Sequence, residues 1–536
     1  MRSTLIGISA LALIANPAQA ARKSIDPYIE VGQVITADLN GDSDVLTYST
    51  IAAGVDATVQ TSRVEAQISY RYERRIAWDD NIADDDIHSG LARVNVQAVP
   101  GVVNIEAGAL ATRARSGIGG GFPGQTAGNV DSLTQVYSVY AGPTLTTNVG
   151  ELQVGASYRA GYTKVESKDG ILAPDGIDRI DSYDDSVVQS ATANVGMAPG
   201  GSLPFGWAVS GGWEREDAGQ LDQRFESKYV RGDVTVPVSP TLALVGGIGY
   251  EDIEAAQRAP LLDEDDIPVI DGQGRFVTDP NSPRLQYYDQ DGLIWDAGVL
   301  WRPSRRTELE VRVGRRYGDM TYTGRFSYQM SGVTALQITA YDSVSSFGQQ
   351  LNDNLSLLPT AFQVDRNPLS GNIGGGCVFG GRGTGGQSAG GCLNDVFQSI
   401  STANFRARGI NGVISTQRGP WSGGVGLGYS QRRFIAPDFG GTFTVDGTKD
   451  ESIFAQAYVA RQLTPNSGID ANVYADWYNS GLAGAPDVVS TGLTGSYNHT
   501  FGRLAATVSA GVYGLDPEGL EAQYNAAALL ALRYNF

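Results

Sequence analysis

Side chains change character at every second residue over much of this chain. From Arg63 to Glu73 the order is Arg, Val, Glu, Ala, Gln, Ile, Ser, Tyr, Arg, Tyr, Glu. Val64, Ala66, Ile68, Tyr70 and Tyr72 therefore share one face of an extended strand, and Arg63, Glu65, Gln67, Ser69, Arg71 and Glu73 share the other. The pattern returns downstream. Leu309, Val311 and Val313 alternate with Glu308, Glu310 and Arg312, and Ile469, Ala471, Val473, Ala475 and Trp477 alternate with Asp470, Asn472, Tyr474 and Asp476. Leu293, Trp295, Ala297, Val299 and Trp301 form a further apolar face opposed by Asp296 and Arg302, although Ile294 and Leu300 interrupt the polar side. A period of two leaves a soluble sandwich, with its polar face in water, or a transmembrane barrel, with its apolar face in lipid and its polar face on a lumen.

The connections choose between them. Tight turns at Thr61-Ser62, Pro100-Gly101, Asn148-Val149-Gly150, Ser239-Pro240, Pro303-Ser304, Ser331-Gly332, Gly419-Pro420, Thr464-Pro465-Asn466 and Phe501-Gly502 rotate with connections that are mostly long, among them 116–131, 255–288 and 346–403. Short turns on one rim and long loops on the other are the outer-membrane arrangement, the short turns periplasmic. Counting the arms gives about 22 strands, within bounds of 20–24. The fold class expected is all-β: a closed antiparallel transmembrane β-barrel with short periplasmic turns and long extracellular loops.

Both ends of the chain agree. Arg2, the apolar stretch Leu5 to Ala15, Asn16-Pro17 and the small-x-small triplet Ala18-Gln19-Ala20 form a secretory signal peptide over residues 1–20. Beyond Ala20 no run of about 18 apolar residues exists to make a transmembrane helix. Strand-like alternation begins by about Ile25, so residues 21–536 are expected to be a single outer-membrane barrel domain without plug. The last strand places Tyr524, Ala526, Ala528, Leu530, Leu532, Tyr534 and Phe536 on its lipid face. Its ending, Tyr534-Asn535-Phe536, resembles the C-terminal signature read by the barrel-assembly machinery, which makes Tyr534 and Phe536 the expected assembly signal and that machinery a partner.

Residues for acid-base or metal chemistry are scarce, with only 2 His and 2 Cys in 536 residues. A barrel lipase would need a Ser activated by His, and a barrel protease an Asp/His pair holding water. His88, after Asp84-Asp85-Asp86, and His499, before the Phe501-Gly502 turn, fall near opposite rims. The expectation is therefore no enzyme, no catalytic residue, no metal centre and no cofactor. A net charge of −19 disfavours a nucleic-acid partner. The acids cluster in expected loops, at Asp79, Asp80, Asp84, Asp85 and Asp86, at Asp181, Asp184 and Asp185, and at Asp263, Glu264, Asp265 and Asp266. They read as a solvated, self-repelling face, or as oxygen ligands for divalent cations beside lipopolysaccharide, without a calcium-loop pattern. Cys377 and Cys392 share the glycine-rich connection 346–403. An exported pair reads as a disulfide, worth about 3 kcal/mol in the chain-entropy model; a metal pair lacks any nearby His or further Cys. That connection is either a flexible external loop or one that folds into the lumen and restricts it.

The run Trp301-Arg302-Pro303-Ser304-Arg305-Arg306-Thr307-Glu308-Leu309, followed by Gly314-Arg315-Arg316-Tyr317-Gly318-Asp319, Tyr322 and the Ser343 to Gln350 stretch, resembles the outer-membrane β-barrel family associated with PEP-CTERM systems. The likeness covers about fifty residues and implies a component of exopolysaccharide export or surface assembly, with polysaccharide as a partner. Under it, Arg302, Arg305 and Arg306 would form a cationic entrance at the periplasmic rim, continued along the lumen by Arg312 and Arg316. The alternatives are a general or substrate-specific porin, and a structural or surface-binding barrel with acidic loops. In each case outer-membrane lipid and lipopolysaccharide surround the protein.

Overall fold

A computed structural model describes residues 22–40, 45–78, 85–115, 133–167, 183–264, 267–272, 275–372, 376–437, 445–482 and 484–536. The signal peptide, and Asp79, Asp80, Asp84, Asp181, Asp265 and Asp266 of the acidic clusters, lie outside these residues. The alternating segments become 22 antiparallel strands in one sheet, from Arg22–Asp38 to Gln523–Asn535. Neighbours in sequence are neighbours in the sheet, with one long step: Thr334–Ser345 pairs with Asn404–Arg418 across the connection 346–403, Ser345 opposite Phe405. The first strand pairs with Val45–Gln60 on one side and with the last strand on the other, Tyr28 opposite Asn535 and Asp38 opposite Asn525. The ring is thereby closed. Closure matters in hydrocarbon, where each unpaired backbone group at an open edge would cost several kcal/mol.

The two faces of the wall are sorted as the alternation requires. Val230, Val234, Leu244, Ile248, Leu293, Val311, Leu427, Ile453, Leu493, Val508 and Leu530 are all exposed on the outside. Such a belt far exceeds the apolar patches that a soluble monomer leaves in water, and it places the protein in the outer membrane with lipid around it. Aromatic residues gather toward both rims, with Trp301, Trp421, Phe501 and Phe536 at the short-turn end and Tyr70, Tyr250, Tyr322 and Tyr429 toward the other. Among the described residues no helix is long and apolar enough to cross a membrane.

The short-turn rim owes its shape to glycine. Gly150, Gly419 and Gly502 in two-residue reversals, and Gly101 in a three-residue one, each take φ between +60° and +73°, where a Cβ would be strained. At the opposite rim the shortest connection is Tyr317-Gly318, both with positive φ, 55° and 73°, the signature of a type I′ hairpin.

Candidate functional site

The connection 346–403 turns inward and fills much of the lumen. Its first segment is helix α1 (Phe347–Leu357), capped by Ser346, whose side chain accepts from the Gln349 N–H. Glu216, on the wall strand Gly206–Ala218, also accepts from that N–H at 3.0 Å and from the Ser346 hydroxyl. The wall therefore satisfies donors that a helix N-terminus leaves open. Phe347, Leu351, Leu355 and Leu358 lie on one side of the helix, with Phe362, Val378, Val396, Phe397 and Ile400 from the same connection. They share a core with the wall residues Leu91, Leu110, Val136, Tyr140 and Val165. A short second helix, α2 (Asn394–Phe397), belongs to this core and precedes the return to the wall at Asn404.

The wall residues that this plug touches measure its depth. On the single strand Val64–Ala77, Arg75 donates to the Leu369 carbonyl at 3.0 Å, Arg366 reaches Ser69 at 3.1 Å, and Gln67 exchanges hydrogen bonds with Phe362 at 2.8 and 3.0 Å. Nearest the short-turn rim, Glu65 accepts from the Thr384 N–H at 3.0 Å and from its hydroxyl at 2.9 Å. Ten residues of extended strand span roughly 30 Å, so the plug runs almost the full height of the ring. Its tip is a hairpin in which Arg382–Gly383 pairs with Gly386–Gln387, and Arg382, Thr384, Gly385 and Gly386 are exposed toward the periplasmic opening.

Above the tip, Cys377 sits opposite Cys392 and is bonded to it, with a sequence separation of 15. The pair lies against a wall stripped of side chains. A Cβ on Gly426 would stand 2.4 Å from the Cys377 sulfur, one on Gly424 would stand 2.2 Å from the Phe379 ring, and one on Gly161 would stand 2.1 Å from Asn352. These wall glycines are the hollows into which the plug packs. Polar links complete the fit: Asp353 pairs with Arg159 at 2.9 Å, Asn352 donates to Thr163 at 3.0 Å, and Gln456 accepts from the Cys377 N–H at 2.9 Å. Asp365, within the plug, accepts from the Asn472 amide at 2.6 Å; burial pushes its carboxyl up to about 7 against that hydrogen bond.

The wall from Gln223 to Ser331 is occupied differently. Arg231 bridges Asp233 at 2.6 Å and Asp296 at 2.9 Å, and Arg312 meets Asp233 and Asp296 at 2.9 Å and Glu310 at 2.6 Å. All five side chains stay partly open, at 14% to 37% exposure. Among the described residues the plug makes no hydrogen bond or ion pair to any of them. Arg325, lumen-facing opposite Glu310 in register, is exposed and forms no ion pair among those residues. The lumen is thus filled on one side and left as a charged, water-accessible gap on the other.

The arginines singled out in the sequence are spread over the height of the barrel. Arg302 pairs with Glu308 at 3.1 Å, both exposed, and Arg305 and Arg306 are exposed at the short-turn rim. Arg316 lies near the other end, bonded to Glu251 at 2.6 Å and stacked over Tyr317 and Tyr229. Arg312 is held by three carboxylates and Arg316 by one, while Arg305 and Arg306 make no ion pair among the described residues. Tyr534 and Phe536 face outward at the short-turn rim, their rings edge-on at 5.3 Å. His88 joins an aromatic cluster with Tyr70, Tyr72 and Tyr137, its Nδ1 2.7 Å from the Tyr70 hydroxyl, and His499 stacks near Phe501 at 4.3 Å, at the opposite end of the wall. Of the loop acids, Asp85 pairs with Arg113, Asp86 with Arg74 and Asp184 with Arg275.

No family model matches the chain, and no curated protein does. Solved structures with a similar course include the ferric-catecholate import receptor Fiu from E. coli K12, 12% identical over 95% of this chain and 82% of that one, with a TM-score of 0.43. The FrpB iron transporter from Neisseria meningitidis is 10% identical over 95% and 82%, with a TM-score of 0.43. BauA, the ferric preacinetobactin receptor from Acinetobacter baumannii, is 11% identical over 96% and 81%, with a TM-score of 0.42.

The expected function needs correction. Exopolysaccharide export through a polar conduit, and an unobstructed porin, both require a clear bore, and connection 346–403 occupies it. Of the two courses expected for connection 346–403, it takes the one into the lumen, between two strands that pair directly. The structures found carry other names: a ferric-catecholate import receptor, an iron transporter and a ferric preacinetobactin receptor.

Proposed function

We propose that this protein is an outer-membrane transport barrel closed at rest by its own internal connection, which moves to admit a small polar or charged solute along the Gln223–Ser331 side of the lumen. The observation that carries this reading is the division of the lumen: a plug held by a shared apolar core and by polar contacts on one side, and a partly exposed ladder of paired charges on the other. Mixed charge along the path suits a passage better than a filter selective for one sign. No residue acts on the solute chemically; the wall supplies only binding and electrostatics. Tyr534 and Phe536, exposed beside the closing seam, are proposed as the contacts for the barrel-assembly machinery.

The test is solute flux in proteoliposomes, comparing the intact chain with a barrel whose residues 347–402 are replaced by a short Gly-Ser turn. Ser345 and Phe405 are direct partners in the sheet, so a hairpin turn can join their strands. The intact barrel should pass small sugars, amino acids and a ferric chelate slowly, and the excised barrel at least about tenfold faster. Equal flux through both would overturn the reading.

A further inference from the structure

On the outside of the ring, at the long-loop end of three consecutive strands, Arg406 lies directly opposite Arg433, and Arg433 directly opposite Lys449. Arg433 and Lys449 point away from the lumen, since their chain neighbours Arg432, Phe434 and Asp450 are buried and inward-facing; the Arg406 side chain is only 14% exposed and lies over the Tyr317 ring. Two residues lower on the same face come Arg408, Gln431 and Glu451, and two lower again come Ile410, Tyr429 and Ile453, exposed and apolar, where the lipid belt begins. Four residues of tilted strand put the cations on the order of 10 Å above that belt, just outside the hydrocarbon.

Like charges placed directly opposite destabilise a sheet. Some of this row is relieved: Asp342 accepts from Arg406 at 2.8 Å and from Arg408 at 3.1 Å. Glu451 is taken up by Gln431 at 2.5 Å and Tyr429 at 3.2 Å. Arg433 and Lys449 are both exposed, and among the described residues neither side chain makes an ion pair or hydrogen bond. Two unneutralised cations therefore stand side by side at headgroup depth on a protein whose net charge is −19. We propose that Arg433 and Lys449, flanked by Arg406, bind the phosphate of an outer-leaflet glycolipid headgroup. A guanidinium and an ammonium on adjacent strands can share one phosphate, the first through a fork of N–H donors and the second as a point charge. This moves lipopolysaccharide contact from the acidic loops, where the sequence suggested it, to the cationic outer wall.

The test uses the full-length barrel, delipidated in neutral detergent and examined by native mass spectrometry. It is titrated with bis-phosphorylated lipid A, with the same lipid A stripped of both phosphates, and with inorganic phosphate. The wild type should retain the phosphorylated form and release the stripped one. R433Q/K449Q should weaken retention roughly 30-fold, about 1 kcal/mol for each cation near a lipid surface. R305Q/R306Q, at the other rim, should change it less than about twofold, and heat-modifiable migration reports that each variant is folded. Equal retention of both lipid A forms, an unchanged R433Q/K449Q, an equal loss in R305Q/R306Q, or binding of inorganic phosphate with no lipid A would each overturn the proposal. If the double variant fails to fold, K449Q alone is read the same way, with about a fivefold loss expected.

Discussion

The two sides of the lumen are built on the same alternation and filled by opposite means. Where the plug docks, two strands turn small, uncharged residues inward, Gly424, Gly426, Gly428 and Ser430 on one and Ser490, Gly492, Thr494 and Ser496 on the other. The same wall also buries paired charges, Glu73 between Arg71 and Arg75 and Arg432 with Asp450. Where water remains, the inward residues are Arg231, Asp233, Asp296, Glu310 and Arg312, paired across strands. A wall that receives protein must give up volume in places and pair the charges it buries, because a desolvated charge is costly unless paired. A wall that meets water can keep its charges partly hydrated. The inward half of the alternation thus carries the footprint of whatever fills the barrel.

Filling a hollow on the docked side should break this contrast most strongly. Gly426→Val would put a side chain against the Cys377 and Cys392 sulfurs, where even a Cβ is 2.4 and 2.9 Å away. It is expected to dislodge the plug, raise conductance about tenfold or more, and expose 376–392 to added protease, while the barrel keeps its heat-modifiable migration. Thr323→Val, inward-facing on the open side, should do none of this.

A smaller effect is expected from pH. Asp365 is held neutral by burial, with its carboxyl up to about 7 in the docked plug, whereas in water it would ionise near 4. The docked state therefore binds the extra proton, so docking is strongest below about pH 4 and loses stability as pH rises toward 7. Openings in planar bilayers should become more frequent between pH 5 and pH 8, and Asp365→Asn should flatten that dependence. A rising open fraction on acidification would contradict it. The least effect is expected from Arg312→Gln. It should leave closure unchanged in the intact barrel and, in the excised barrel, shift selectivity toward cations by roughly twofold, because Asp233, Asp296 and Glu310 lose a shared partner.

The ring was legible in the sequence because each strand announces itself locally. Val64 to Glu73, Glu308 to Val313 and Ile469 to Trp477 sort to the faces that their period predicts, and the turns at Pro100-Gly101 and Phe501-Gly502 fall where glycine takes positive φ. The plug was legible only as one of two courses for connection 346–403, since most of that segment carries no period. Its glycines read as slack, and its Ser, Asn and Gln residues read as solvent-facing loop. In the structure Ser370, Asn372, Gln387, Asn394 and Gln398 are buried instead, because a lumen wall supplies partners that open water would otherwise supply. One signal was available: Phe347, Leu351, Leu355 and Leu358 recur at helical spacing and mark an apolar stripe that an external loop has no use for. The arginines from Arg302 to Arg316 read as one basic row, whereas the carboxylates of Asp233, Glu251 and Asp296 that meet Arg312 and Arg316 lie far away in sequence and arrive only through strand register.

The deepest contact of the plug, between Thr384 and Glu65 beside the periplasmic rim, offers the most direct measurement. With both residues changed to cysteine, intact outer membranes treated with a mild oxidant should form the 65–384 disulfide in most molecules, seen as a gel shift that reducing agent reverses. Two cysteines that stay separate and label freely from opposite sides of the membrane would show that the connection lies outside the barrel, and would contradict a lumen closed from within.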